Sequence, residues 1–426
     1  MLHRVSRLQA HEILDSRGRP TLCVTVELES GAQGQAGVPS GASTGRREAV
    51  ELRDGDPGRF GGAGVLKAAG HVNGEIADTV VGQPWKSLAD LDQALIDLDG
   101  SPNKARLGAN AVVGTSMAVA RAMARAEDRS LYEFLAPPSV APRLPVPHFN
   151  VVNGGAHART SLAFQEFMLA PLGARSLSDG VRAGAEIYAG LRRRLAEAGL
   201  STGVGDEGGF APDIVQPEDV LELLTGAISD AGYSIGRDGV ALALDPAASG
   251  FRQSDGTYAV GGEALSSADM IERYRQIVAR YPVWSIEDGL GEDDPEGWRR
   301  LTDSLGDRIQ IVGDDLLVTN PALIRAAVTG QLANAVLIKV NQIGTVTETL
   351  EAMAVCRQAG WGQMISHRSG ETSDSFIADL AVATGCGQIK AGAPSRGERV
   401  AKYNRLLEVE RECAGAPYGV AERERA

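Results

Sequence analysis

The sequence predicts an α/β chain in which an α+β N-terminal domain, residues 1–136, precedes a C-terminal (β/α) barrel, residues 137–426. Three observations carry this. A proline-rich segment, APPSVAPRLPVPHFN at 136–150, divides the chain. Strand and helix patterns are mixed before it, and after it short apolar runs alternate with helical stretches. Pro137, Pro138, Pro142, Pro145 and Pro147 each fix φ and remove a donor, so no helix can cross the boundary.

Ahead of the boundary, TLCVTVEL sets Leu22, Val24, Val26 and Leu28 on one face, the period of a half-buried strand. A Gly/Ser loop, PSGASTG (39–45), follows, and ANAVVGTSMAVARAMARA reads as an Ala-rich helix. Beyond it the apolar runs are ALALD (241–245), VWSIED (283–288), IQIVGDD (309–315), AVLIKVN (335–341), QMISHR (363–368) and GQIKAG (387–392). Strands separated by helical crossovers lie parallel. Between the fourth and fifth runs, Thr345 and Glu348 spell a capping box, Val346, Leu350, Met353 and Ala354 trace a helical face, and Gly360 stands at the C-cap. Pro217 suits the first turn of a helix whose Val220, Leu221, Leu224 and Ile228 face inward.

At roughly 150 residues per domain, 426 residues make two domains if one is a barrel. The formal charge of −13 repels phosphate backbones and anionic membranes, which disfavours nucleic-acid and membrane roles. With 43% hydrophobic and only 5% aromatic residues, a core forms and aliphatic side chains must fill it. Cys23, Cys356, Cys386 and Cys413 lie far apart without a CxxC spacing, as reduced thiols of a cytosolic protein do. The N-terminus lacks the order of a secretory signal, and no stretch nears the ~18 apolar residues of a membrane span, so the expected location is the cytoplasm.

Each apolar run ends in an ionisable residue: Asp245, Glu287, Asp314, Lys339, His367 with Arg368, and Lys390. Strand ends often carry charge because they reach the surface. Six in succession at the mouth of a barrel instead assemble one site. Three neighbouring carboxylates raise one another's pKa unless a cation neutralises them, and without Cys or His among them Mg²⁺ fits better than Zn²⁺. Separate ion pairs with nearby Lys and Arg are the plainer alternative. A +2 ion lowers the pKa of a nearby lysine toward neutrality, and Lys339, inside the apolar run AVLIKVN, is the better candidate base of the two lysines. Arg368 and Ser369 could grip a phosphate, so the expected substrate is a small phosphorylated acid. Asp206 and Glu207 in GVGDEGGFAP (203–212), and His157, Gln165 and Glu166 in NGGAHARTSLAFQEF (153–167), carry little signal alone. PSGASTG lacks the Lys of a phosphate-binding P-loop.

DSRG (15–18), PSGASTG, QEF, GDEGGFAP, SIEDGL, VGDDLLVTN, KVNQIGT, SHRSGET and GQIKAGAPSR span nearly the whole chain, and together they closely resemble the enolase family. That resemblance implies an eight-fold barrel opening ββαα before its (βα)6 repeat, and dehydration of 2-phosphoglycerate to phosphoenolpyruvate. It implies that Asp245, Glu287 and Asp314 hold one Mg²⁺ and that Ser43, in a mobile loop, helps hold a second. By the same resemblance Lys339 is the base and Glu207 the acid, with Glu166, His157 and Lys390 nearby. Gln165, Arg368 and Ser369 position the substrate, His367 supports the acid side, and the assembly is a homodimer or octamer. A Lys base working with one or two Mg²⁺ is the general pattern of the enolase superfamily, and the roles given to Lys339 and the two ions follow that pattern. The chemistry needs it: a proton beside a carboxylate is a very weak acid, and hydroxide leaves poorly without a proton donor.

Departures from the family pattern gather near the lids. Arg159 and Thr160 follow Ala158 where Asn is usual, Gly250 and Ser373 replace acidic residues, and Arg19 replaces the Asn of DSRGNP. Drift in loops accounts for them. On a charge argument Arg159 adds a cation two residues from His157 and Gly250 and Ser373 remove anions, so the lid region gains positive potential, which would suit a more anionic substrate, as in the carboxyphosphonoenolpyruvate synthases of phosphonate antibiotic pathways. A non-catalytic binding protein on the same fold would have no physical need of Glu207, Lys339 and the three carboxylates.

Overall fold

A computed structural model describes residues 2–42 and 45–420. Strands β1 (His3–Leu14), β2 (Pro20–Leu28) and β3 (Gln33–Gly37) form an antiparallel meander, and β4 (Pro84–Trp85) extends its edge in the order β3-β2-β1-β4. Leu22, Val24, Val26 and Leu28 are buried, as their spacing requires. The helix Ala109–Ala126 is buried on nearly all sides. It packs on β2 and β3 with one face and on the barrel segments Val340–Ile343 and Val346–Ala359 with another. A helix apolar all round belongs between two layers, and its small side chains let both come close. At Gly34 a Cβ would stand 2.0 Å from the Ala118 carbonyl oxygen, so only glycine permits this approach.

The second domain is a closed barrel of β5 (Val146–Asn153), β6 (Glu166–Ala170) and β7 (Ala241–Asp245), with a small hairpin of β8 (Tyr258–Val260) and β9 (Glu263–Leu265) outside it. It continues with β10 (Val283–Glu287), β11 (Gln310–Gly313), β12 (Ala335–Ile338), β13 (Gly362–Ser366) and β14 (Gln388–Lys390). Strand order round the barrel is β10-β11-β12-β13-β14-β5-β6-β7. All six apolar runs of the sequence are strands, each parallel to the next. Between β5 and β6 the chain makes only a short 3-10 turn, Gly155–His157, which cannot serve as a crossover, so those two strands pair antiparallel. The helices Leu177–Glu197 and Pro217–Asp230 then precede β7, giving the ββαα opening. Pro217 begins its helix, and Val220, Leu221, Leu224 and Ile228 are fully buried.

The helix Val346–Ala359 corrects two expectations. Leu350 and Ala354 are only half-buried, while Thr349, Ala352, Met353, Val355 and Cys356 take the core side with Val346. The buried set is no single stripe because the helix faces both the barrel and the N-terminal domain. Thr345 caps it by accepting from Glu348 N at 3.0 Å. The Glu348 carboxylate does not complete the box at the backbone; it accepts from the Thr345 hydroxyl at 2.7 Å and from Lys104 Nζ at 2.6 Å. Gly360 ends the helix at φ 73°, as expected.

The same helix start docks the two domains. Ser116 Oγ accepts from Val346 N at 3.0 Å, and Asp92 Oδ2 accepts from the Thr347 N–H at 3.0 Å and its hydroxyl at 2.6 Å. Free N–H groups of the first turn are thereby satisfied from the other domain. Asp92 is fully buried on the helix Leu88–Asp99, and burial pushes its carboxyl up to about 6.

Because the folded carboxyl keeps its proton to a higher pH than the unfolded one, Asp92 costs stability as pH rises from 3.8 to about 6. Urea titrations over that range should show the wild type losing about 2–3 kcal/mol relative to Asp92→Asn, whose amide oxygen still accepts from Thr347. Parallel pH curves for the two proteins would contradict the assignment.

Candidate active site

Strand geometry gathers the ionisable residues. Parallel strands end at one rim, so Asp245, Glu287, Asp314, Lys339, His367, Arg368 and Lys390 converge there, and all are buried. A small polar cavity opens at this rim. Its lining contains His157, Gln165, Glu166, Glu207, Lys339, His367, Arg368, Ser369 and Lys390, which are all of the expected proton-transfer and substrate residues. Ser43, the remaining expected ligand, lies outside the described residues.

Two lysines hold the three carboxylates. Lys390 Nζ donates to Glu287 Oε1 at 2.8 Å and Oε2 at 2.9 Å, and to Asp245 Oδ2 at 3.3 Å. Lys339 Nζ donates to Asp314 Oδ2 at 2.5 Å. Burial alone would lower the Lys339 ammonium, but Asp314 against it keeps it above its ordinary value. Burial and the Asp245 charge raise Glu287 well above the carboxylate range. Among the described residues, the ligating groups within 4.8 Å of one another are His157–Glu166–Glu207 and Asp288–Asp314–Asp315. Asp245, Glu287 and Asp314 do not form such a group as a trio. Yet Asp245 Oδ1 is buried without a hydrogen-bond partner, and the three offer only oxygen, so the set suits a hard divalent cation.

The second cluster surrounds Glu207. Asn150 Nδ2 donates to Glu207 Oε2 at 2.9 Å, and His367 Nε2 lies 3.2 Å from the same oxygen. His157 Nδ1 stands 3.6 Å from Glu166 Oε1 and 3.7 Å from Glu207 Oε1. Burial drives Glu166 well above the ordinary range, with the Glu207 charge adding to it. Burial acts on Glu207 in the same direction, but the two imidazoles and Arg399 outweigh it and hold this carboxyl low. The two facing carboxyls are thus pushed in opposite directions, Glu166 up and Glu207 down.

The N-terminal domain walls one side. In DSRG, Asp15 accepts from the N–H groups of Arg17 at 2.8 Å and Arg19 at 2.9 Å, fixing the turn. Arg17 then donates to Ser369 Oγ at 3.1 Å. Glu48 accepts from both terminal nitrogens of Arg368, at 3.0 and 3.1 Å. Gln342 Nε2 donates to Asp314 Oδ1 at 2.9 Å and Glu48 Oε1 at 3.2 Å, which couples the carboxylate trio to that wall. Asp288, at φ 43°, accepts from the N–H groups of Asp314 and Asp315, both at 2.9 Å.

Asn150, Glu48, Gln342, Asp288 and Arg399 do not stand out in the sequence. Gln342 and Asp288 lie one to three residues beyond strand-end ionisable positions, a proximity that could have flagged them. Asn150, Glu48 and Arg399 reach the site from other segments and left no local signal. The departures sit elsewhere: Arg159, Gly250, Ser373 and Arg19 are exposed, and neither they nor half-buried Thr160 line the cavity.

Residues 5–135 match the family model described as enolase, N-terminal domain, and residues 141–425 the one described as enolase, C-terminal TIM barrel domain. The chain is 54% identical over 405 residues to the enolase of Rubrobacter xylanophilus, an alignment covering 95% of this chain and 94% of that one.

Arg368 and Glu48 are a buried bidentate pair, with side chains 3% and 8% exposed. Removing the carboxylate takes the bidentate partner from a buried guanidinium, so Glu48→Ala should lose about 3–5 kcal/mol of unfolding free energy in urea. A loss below about 1 kcal/mol, the range of exposed pairs, would mean that the pair is not desolvated.

Proposed function

Because the chain belongs to the enolase family and so is a hydro-lyase, we propose that it catalyses the Mg²⁺-dependent, reversible dehydration of 2-phosphoglycerate to phosphoenolpyruvate, the glycolytic reaction. The observation that carries this reading is one cavity reached by Lys339, Glu207, Glu166, His157, His367 and Lys390, with the carboxylates Asp245, Glu287 and Asp314 bonded to its two lysines. Asp245, Glu287 and Asp314 would hold one Mg²⁺, and Ser43 would help hold a second. Bound there, the ions would supply positive charge against the substrate carboxylate and compensate Asp314, weakening its hold on the Lys339 proton.

Lys339, once neutral, takes the C2 proton. The C–H electron pair becomes the new double bond, the C3–O bond breaks, and the hydroxyl leaves as water with a proton from Glu207. That proton comes from the Glu166–Glu207 pair, with His157 Nδ1 within 3.7 Å of both carboxyls. Lys390 sets a buried cation against the substrate carboxylate. Arg368 and Ser369 take the phosphate, and Gln165 steadies Asp245 by donating to its Oδ2 at 3.3 Å. We place the domain boundary at 136/137 and expect a cytoplasmic homodimer or octamer. No helix among the described residues is long and apolar enough to cross a membrane.

Purified protein should form phosphoenolpyruvate from 2-phosphoglycerate with Mg²⁺, lose that activity to a chelator and regain it on adding the ion. Lys339→Ala should lower the rate by about 10³-fold, within the span of general-base effects. Activity that survives that substitution would overturn the base assignment. Turnover of a carboxyphosphonyl analogue in preference to 2-phosphoglycerate would overturn the substrate.

A further inference from the structure

The helix Gly397–Glu412 buries one arginine completely. Arg399 Nη1 donates to His367 Nδ1 at 2.6 Å and to the Arg368 carbonyl at 2.6 Å. Its Nη2 donates to the carbonyls of Ser369 at 2.5 Å and Asp206 at 3.1 Å. One side chain thus ties together the two loops that carry the acid side, SHRSGET and GDEGG.

A guanidinium has five N–H donors, no lone pair to offer, and does not lose its proton in a protein. The nitrogen facing it must be the acceptor, so His367 Nδ1 carries a lone pair. Burial, reinforced by Arg399 and opposed by Glu207, pushes His367 down to about 3, and the ring is neutral at pH 7. Its one proton is therefore on Nε2, 3.2 Å from Glu207 Oε2. The Asn150 amide also donates to Oε2. With the Asn150 amide donating to Oε2 and the His367 Nε2 proton held 3.2 Å away, a proton on that oxygen would crowd both. Oε1, which faces His157 Nδ1 at 3.7 Å, has no such donors.

We propose that Arg399 is a positioning residue that locks His367 as its Nε2–H tautomer and thereby directs the transferable proton of Glu207 to Oε1. Arg399 itself touches no reacting atom. What the directed proton is used for rests on the enolase reading above; the tautomer does not.

Two measurements on the full-length protein test this. In ¹⁵N-histidine-labelled wild type at pH 7, the imidazole that disappears in His367→Gln should show a protonated Nε2 and an unprotonated Nδ1. An Nδ1–H tautomer or an imidazolium at that position would overturn the proposal, and neither result depends on the substrate. Arg399→Met removes the donors, whereas Arg399→Lys keeps one for Nδ1. In Arg399→Met, phosphoenolpyruvate formation should fall by about 10²-fold while exchange of the C2 proton of 2-phosphoglycerate with D₂O stays within about 3-fold of wild type, and Arg399→Lys should recover part of the loss. Equal loss of both steps in a folded Arg399→Met protein would reduce Arg399 to a structural role. Failure of the wild type to exchange or dehydrate 2-phosphoglycerate would count against the enolase reading, with the tautomer result standing on its own.

Discussion

Burying charge at the mouth of the barrel is the constraint to which the rest of the molecule answers. Asp245, Glu287 and Asp314 lie almost out of water on three adjacent strands, where an uncompensated carboxylate costs several kcal/mol. Lys390 and Lys339 compensate them here, and each lysine is in turn held charged by its partners. Such a cluster is poised rather than settled. An added cation competes with the lysines for the same oxygens, and a lysine released from its carboxylate gives up its proton more readily. The proposed base is thus kept inactive by the group that would bind the metal.

The N-terminal domain follows from the same constraint. A barrel rim carrying this many buried charges needs a wall, and the wall must bring its own compensation. Glu48 grips Arg368, Arg17 reaches Ser369, and Gln342 links Glu48 to Asp314. The Ala-rich helix Ala109–Ala126 fits between sheet and barrel because its side chains are small enough for both layers to approach. Asp92 and Ser116 complete the joint by capping the helix Val346–Ala359, which begins a few residues beyond Lys339. Fold and site are one arrangement, since the contacts that dock the domains also orient the side chains at the rim.

The barrel strands were legible in the sequence because fully buried parallel strands are continuous apolar runs, and because a residue just past each run is ionisable. The ββαα opening was less so. β5 begins inside the proline segment and β6 follows a loop with no helical period, so only the resemblance to enolases indicated them. Details that depend on a third partner escaped: Lys104 draws Glu348 away from a full capping box, and two packing surfaces spread the buried face of that helix away from Leu350 and Ala354. Glu48, Asn150 and Arg399 escaped for the same reason. Their roles arise from contacts between distant segments, and nothing in their neighbours along the chain announces them. The departures at Arg159, Gly250 and Ser373 were legible as residues, and they lie exposed and outside the cavity.

The most direct measurement is a crystal structure with Mn²⁺, an anomalous scatterer in place of Mg²⁺, and bound substrate. The expected result is an anomalous peak coordinated by Asp245, Glu287 and Asp314, with Lys339 Nζ withdrawn from Asp314. Anomalous density confined to the Asp288–Asp314–Asp315 or His157–Glu166–Glu207 groups, with both lysines still bonded to the three carboxylates, would contradict it.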